Sequence, residues 1–214
     1  MNARLIVMDI DSTLINQEVI DLLGDETGIG ERIAGITARA MRGDADFRQA
    51  LAERVGLLAG LPVSVFDRVY ERVSFTPGAC ELVAAAHARG WTVGVVSGGF
   101  HEIADRLQAD AGIDLCLANR LEQQDGKLAG RTLGPVVTRE LKLQTVEAWA
   151  ERVGCGLPGT IAVGDGANDI PMICAAGIGI AFCAKPAVRE AAPFHIDERN
   201  LLRVLDIVDA HPLA

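Results

Sequence analysis

Leu5-Ile6-Val7-Met8-Asp9-Ile10-Asp11-Ser12-Thr13-Leu14 opens on a continuous apolar run, the pattern of a strand covered on both faces. The run ends in two carboxylates two residues apart. In extended chain, positions i and i+2 point the same way, so Asp9 and Asp11 are expected to face one site with Ile10 turned into the core. Two carboxylates held that close stay ionised only beside a cation. A hard divalent ion with oxygen ligands, magnesium first among them, suits the pair.

Outward from this strand the chain changes character. Between about Gln17 and Val73 no strand-like run occurs. Ile29, Ile33, Ile36 and Ala40 recur at helical spacing, as do Phe47, Leu51, Val55 and Leu58, then Val65, Val69 and Val73. The reading is a helical insert of roughly four elements closed by Thr76-Pro77-Gly78. It divides the chain into a core domain (1–14 and 75–214) and an inserted helical domain (15–74). From Ala79 onward helices and strands alternate, the pattern of an α/β parallel sheet. Helices are expected at about Ala79–Arg89, His101–Ala111, Arg139–Val153 and Arg199–Val208, with a short one ending at Gly177. Strands are expected at Thr92–Val96, Asp114–Ala118, Thr160–Val163, Ile178–Phe182 and near His195-Ile196. Asp125-Gly126 marks a hairpin turn between short polar strands.

Parallel sheets bind ligands beyond the carboxyl ends of their strands. Asp9/Asp11, Ser97-Gly98-Gly99 and Gly164-Asp165-Gly166-Ala167-Asn168-Asp169 all fall at such ends. Asp9 is the candidate nucleophile, since a carboxylate can attack phosphorus and split one hard hydrolysis into two steps. Asp11 is the candidate general acid and base. Ser97, with Gly98 and Gly99 at a helix start, forms a phosphate cradle of a hydroxyl and free N–H groups. Asp165 and Asp169 add oxygen ligands, and Asn168 can donate or accept beside them. Lys142 supplies the fixed cation that a phosphate among carboxylates requires.

These four segments, in this order, resemble the motifs of the haloacid-dehalogenase-like phosphatases. Asn16-Gln17-Glu18 and Ala50-Leu51-Ala52-Glu53-Arg54-Val55 in the insert, Ala118-Asn119-Arg120-Leu121, and Ile180-Ala181-Phe182-Cys183-Ala184-Lys185-Pro186 are similar to phosphoserine phosphatases. The resemblance implies a Rossmann-like doubly wound sheet with a helical-bundle cap inserted after the first strand. It implies one Mg2+ per active site on Asp9, the backbone carbonyl of Asp11, and Asp165, with Asp169 supporting from behind. It places Ser97, Gly98, Lys142 and Asn168 on the phosphate. In the cap, Glu18 would take the substrate ammonium and Arg54 its carboxylate, with Met41 and Phe47 as apolar walls. The implied activity is hydrolysis of O-phospho-L-serine through an aspartyl-phosphate, the last step of serine biosynthesis. The alternative is the same chemistry on another small phosphate, or phosphoryl transfer to an alcohol such as homoserine. A signalling receiver domain shares an acidic cluster, magnesium and a lysine. Its phospho-accepting aspartate, however, follows the third strand and it has no helical insert.

Composition agrees with a small-molecule enzyme. The formal charge is −9, from 20 basic and 29 acidic residues, without the basic cluster of a nucleic-acid binder. An anionic substrate must then be held by placed cations rather than by the global field. Five scattered cysteines without C-x-x-C spacing argue against a disulfide framework or a zinc site and are expected as buried small hydrophobes. The N-terminal stretch shows no apolar signal region, no apolar stretch spans a bilayer, and a chain without the N-terminal ligand-sensing domain of some family members is expected. A cytoplasmic monomer or homodimer with no nucleic-acid or membrane partner is expected.

Overall fold

The computed structural model describes residues 4–41 and 46–213, apart from the side chains of residues 38, 40 and 41. Ala40 of the expected stripe therefore lies outside the described side chains. A seven-stranded sheet runs in the order β4-β3-β2-β1-β5-β6-β7. Its strands are β1 (Leu5–Met8), β2 (Thr92–Phe100), β3 (Leu115–Gln124), β4 (Lys127–Leu133), β5 (Thr160–Gly164), β6 (Ile178–Phe182) and β7 (Phe194–Ile196). All neighbours pair in parallel except β3 with β4.

β1 sits at the centre because its apolar run serves two layers. Ile6 and Met8 join one hydrophobic cluster, and Leu5 and Val7 join the other; all four are 0% exposed. On the first face pack α5 (Ala79–Ala88), α6 (His101–Ala111) and α10 (Arg203–Ala210). On the second pack α7 (Arg139–Val153), α8 (Ile170–Ala175) and α9 (Pro186–Ala191). The sheet is doubly wound, as expected, and its two-sided burial explains why its inner strands lack polar alternation.

Between β1 and α5 lie α1 (Val19–Thr27), α2 (Gly30–Met41), α3 (Phe47–Gly56) and α4 (Val65–Glu71). α3 starts on a capping box in which Asp46 accepts from Gln49 N and the Gln49 side chain accepts from Asp46 N. The two linkers meet in an antiparallel bridge, Ile15 to Phe75. Arg199 clamps the first linker by donating to Asn16 Oδ1 at 2.7 Å and to the Ser12 carbonyl at 3.1 Å.

The insert is fastened at a second place. Gly60 N donates to Leu128 O and Leu128 N to Leu61 O, each at 2.8 Å, and Val63 N donates to Gly126 O at 3.0 Å. The β3–β4 hairpin thus pairs with the α3–α4 connection. Its turn, Asp125-Gly126, has φ of 51° and 73° at the two residues, as a two-residue hairpin demands.

Several expectations change. The strand β3 is longer than expected because its first half pairs with β2 and its second with β4. α10 begins at Arg203 rather than near Arg199: Leu201 N is drawn to Pro77 O and Asn200 Oδ1 receives Leu202 N. The cysteines are not buried; Cys80 and Cys174 are exposed and the other three half-buried. Among the described residues no helix is long and apolar enough to cross a membrane.

Candidate active site

β1 ends one residue before Asp9. Ile10–Leu14 then forms a wide turn closed by Leu14 N to Asp9 O (3.3 Å) and Ile15 N to Ile10 O (3.0 Å), with Ser12 at φ 57°. This turn, and not strand alternation, brings Asp9 and Asp11 to one cavity; Ile10 is buried as expected. The cavity, ≈ 540 Å³, opens beyond the carboxyl ends of β1, β2 and β5. Asp9, Asp11, Glu18, Phe47, Arg54, Ser97, Gly98, Asp165 and Asn168 all line it. Lys142 and Asp169 lie directly behind: Lys142 donates to both Asp9 and Asp169. Met41 belongs to the side chains outside the described set.

Lys142 reaches in from the first turn of α7, which starts on a Thr138 cap. Its Nζ stands 2.8 Å from Asp9 Oδ1 and 2.7 Å from Asp169 Oδ1, at 1% exposure. Burial works against its charge, but Asp169 and Asp9 hold its pKa above the ordinary lysine range. Asp169 gives its other oxygen to Gly166 N at 3.0 Å. A side chain at Gly164 would strike Asp169 at 2.5 Å, so the strand end must stay bare for that carboxylate to fold back. A Cβ on Gly99 would likewise meet Asp11 Oδ2 at 2.8 Å and Ser97 Oγ at 3.1 Å.

The electrostatics suit a cation. Carboxylate oxygens of Asp9, Asp165 and Asp169 lie within 4.8 Å of one another, all buried. Burial first, then the charges of Asp9 and Asp169, push Asp165 up to about 7. Burial and Asp9 push Asp169 up to about 6 against Lys142. A buried all-oxygen donor set with excess negative charge fits a hard divalent ion. Asp11 is raised well above the usual carboxyl range by burial, Glu18 and Asp9, so it favours the protonated form.

On the insert side, Glu18 holds the N-cap position of α1 without a side-chain capping bond; its Oε1 accepts from Ser12 Oγ at 2.6 Å instead. Arg54 of α3 lies half-buried with Nε donating to Ala50 O at 3.2 Å. Phe47, expected as an apolar wall, is 39% exposed, lines the cavity and reaches toward the Ser97-Gly98 turn.

A family profile described as haloacid dehalogenase-like hydrolase matches residues 6–173. A phosphoserine phosphatase of Streptococcus thermophilus is 58% identical over 96% of this chain and 95% of its own. The chain belongs to the haloacid dehalogenase-like hydrolases, in their phosphoserine phosphatase family. A phosphoserine phosphatase of Lactococcus lactis is 56% identical over 96% of this chain and 95% of its own. A solved substrate-bound phosphoserine phosphatase superposes with TM-score 0.91 at 41% identity, covering 97% of this chain and 99% of that one. A phospho-aspartyl intermediate analogue of phosphoserine phosphatase gives 0.90 at 42% identity, over 97% and 99%. This phosphatase is therefore a hydrolase with the α/β architecture that its sequence resemblance implied.

Two residues at the site escaped the sequence reading. Thr13, 0% exposed, donates to Asp165 Oδ1 at 3.3 Å. Lys185 follows β6 and lines the cavity, where its charge counters those of Asp165 and Glu18. Its place at a strand's carboxyl end was the available signal. A further trio, His101, Asp105 and Cys116, also clusters. Its imidazole is engaged at both nitrogens, accepting from Ala118 N at 3.1 Å and facing Asp105 at 2.6 Å. The Cys116 thiol is pushed up to about 12 by burial and Asp105. The trio therefore links α6 to β3.

The raised carboxyls predict a pH signature in EDTA. The folded chain keeps protons on Asp165 that the unfolded chain releases near pH 4, so this contribution to stability is lost as pH rises to about 7. Wild type should lose stability relative to Asp165→Asn between pH 5 and 8 in thermal melts, and saturating magnesium should remove the difference in slope. Parallel profiles of the two chains in EDTA would refute it.

Proposed function

We propose that this phosphatase hydrolyses O-phospho-L-serine to L-serine and phosphate through an aspartyl-phosphate on Asp9. The observation that carries the reading is a pair of opposite charges, Glu18 and Arg54, lining the same cavity as Asp9 and Ser97. Phosphoserine offers an ammonium and a carboxylate one carbon apart, and an acid and a base on the insert side answer both. The names of the relatives support the substrate.

Asp9 attacks phosphorus in line, and the ester P–O bond breaks. Asp11, whose burial and acidic neighbours raise its pKa, gives a proton to the departing serine oxygen. Asp11, now a carboxylate, takes a proton from the water that attacks the phosphorus of the aspartyl-phosphate, which frees Asp9 and phosphate. The Ser97 hydroxyl, the Gly98 backbone, Asn168 and the Lys142 ammonium neutralise the phosphoryl oxygens. Asp9, the Asp11 carbonyl and Asp165 would hold Mg2+, while Asp169, engaged by Lys142 and Gly166 N, supports from behind. When bound, the ion supplies electrostatic stabilisation of the charge on the transferred group. Release of free serine suits the last step of serine biosynthesis. The five free cysteines support a cytoplasmic setting.

The test is a phosphate-release panel with two variants. Phosphoserine should lead the panel. Arg54→Ala should cost about 2–5 kcal/mol in kcat/KM for phosphoserine, because it strands a desolvated carboxylate. Glu18→Gln should cost less, since the amide still accepts a hydrogen bond. A generic aryl phosphate, which lacks both handles, should barely notice either change. Equal loss on both substrates would mean that the pair holds the insert and does not read the amino acid. A wild type that prefers another ester would leave a phosphatase of a different small phosphate.

A further inference from the structure

The strand that carries Ser97 is irregular where it matters. Val96 of β2 pairs with Leu117 of β3, yet the next pair is Phe100 with Asn119. Ser97, Gly98 and Gly99 therefore face a single residue, Ala118, and bow out of the sheet as a bulge. A bulge strips backbone groups of their ladder partners, and buried ones need replacements. Asn119, 1% exposed, supplies one: its Nδ2 donates to the Gly98 carbonyl at 2.8 Å. Its Oδ1 accepts from Val137 N at 2.9 Å. A carbonyl only accepts and an amide N–H only donates, so these partners fix the amide's orientation.

The Gly98 carbonyl belongs to the same rigid peptide plane as the Gly99 N–H. That N–H donates to Ser97 Oγ at 2.8 Å. With one lone pair of Oγ so engaged, the Ser97 hydroxyl proton is free to point into the cavity. The other arm of Asn119 holds Val137, one residue before the Thr138 cap of the helix that delivers Lys142.

We propose that Asn119 is a positioning residue for phosphoryl transfer: it sets the Gly98–Gly99 peptide plane that orients the Ser97 hydroxyl, and ties that plane to the start of the Lys142 helix. The inference rests on the reading that Ser97 holds the transferred phosphoryl group.

A double-mutant cycle tests it. Asn119→Asp keeps the acceptor for Val137 N but replaces the donor to Gly98 by a carboxylate oxygen. Asn119→Ser removes the reach to both without adding charge. Each should lower kcat/KM for phosphoserine 10- to 100-fold, mainly in kcat, and raise the inhibition constant of inorganic phosphate. In a Ser97→Ala background the same changes should cost less than threefold, because the group they orient is gone. Thermal melts establish that each variant is folded. Equal losses in both backgrounds, no loss in either, or failure of both variants to fold would overturn the positioning role. If Ser97→Ala alone leaves activity unchanged, the reading of Ser97 fails instead, an outcome the single variant reports on its own.

Discussion

Asp9→Asn is expected to lower turnover by on the order of 10³-fold or more while the protein stays folded, the effect of removing a nucleophile that no neighbour can replace. The change is nearly isosteric, and the remaining carbonyl oxygen can still accept from Lys142, which now bonds Asp9 Oδ1 at 2.8 Å. The wild type should yield an acid-stable, hydroxylamine-labile phosphoryl group when quenched with labelled phosphoserine, and the variant should yield none. Asp11→Asn should differ in kind. It keeps a side chain beside Val19 N, which its carboxylate accepts at 3.2 Å, but loses the proton donor, so residual label can still collect on Asp9. Full activity in the Asp9→Asn variant would remove covalent catalysis from the scheme.

Lys142→Met should show the second large effect, this time in stability as well as in rate. The ammonium stands between Asp9 and Asp169 at 1% exposure. Its loss leaves two buried carboxylates unpaired, beside a third at Asp165. Breaking a buried pair in this way costs about 3–5 kcal/mol. The deficit should be largest at pH 8 in EDTA and shrink toward pH 5. Without the lysine the already raised pKa values of Asp169 and Asp165 rise further, so the chain keeps that stability only where they are protonated and loses it as pH climbs through those values. Urea titrations at the two pH values, with and without magnesium, read the difference. A variant as stable as wild type at pH 8 would refute a stabilising role for the buried ammonium.

What the sequence disclosed and what it withheld follow from range. β1, β2 and β5 announce themselves as apolar runs, and Asp9, Ser97 and Asp165 follow because ligands collect at the carboxyl ends of such strands. Lys142 is readable as a needed cation, since a phosphate among acids demands one. Asp9 and Asp11 do face one cavity with Ile10 buried, but through a turn after Met8 that strand alternation does not encode. α1 was passed over although Val19, Leu22 and Leu23 sit at helical spacing and are buried. Phe47 is named a wall by the resemblance alone, because a periodicity marks a face without saying whether protein or a cavity covers it. Thr13 and Asn119 act through partners 152 and 18 residues away at Asp165 and Val137. Their roles depend on register and on a bulge, which local pattern does not encode.

The hairpin that grips the α3–α4 connection bears on how ligand gets in. If the insert swung away as one body on its linkers, three backbone hydrogen bonds, Gly60 to Leu128, Leu128 to Leu61 and Val63 to Gly126, would have to part together. At about 1 kcal/mol net apiece, these bonds alone would hold a fully swung state to at most roughly one molecule in a hundred, before the apolar contacts of Leu58 and Phe66 with the core cluster are counted. The cheaper breathing motion leaves α3 and its Arg54 in place and shifts α1 and α2, which have no such tether to the sheet among the described residues. Entry and exit would then belong to one flank of the mouth, with Arg54 kept in the cavity lining.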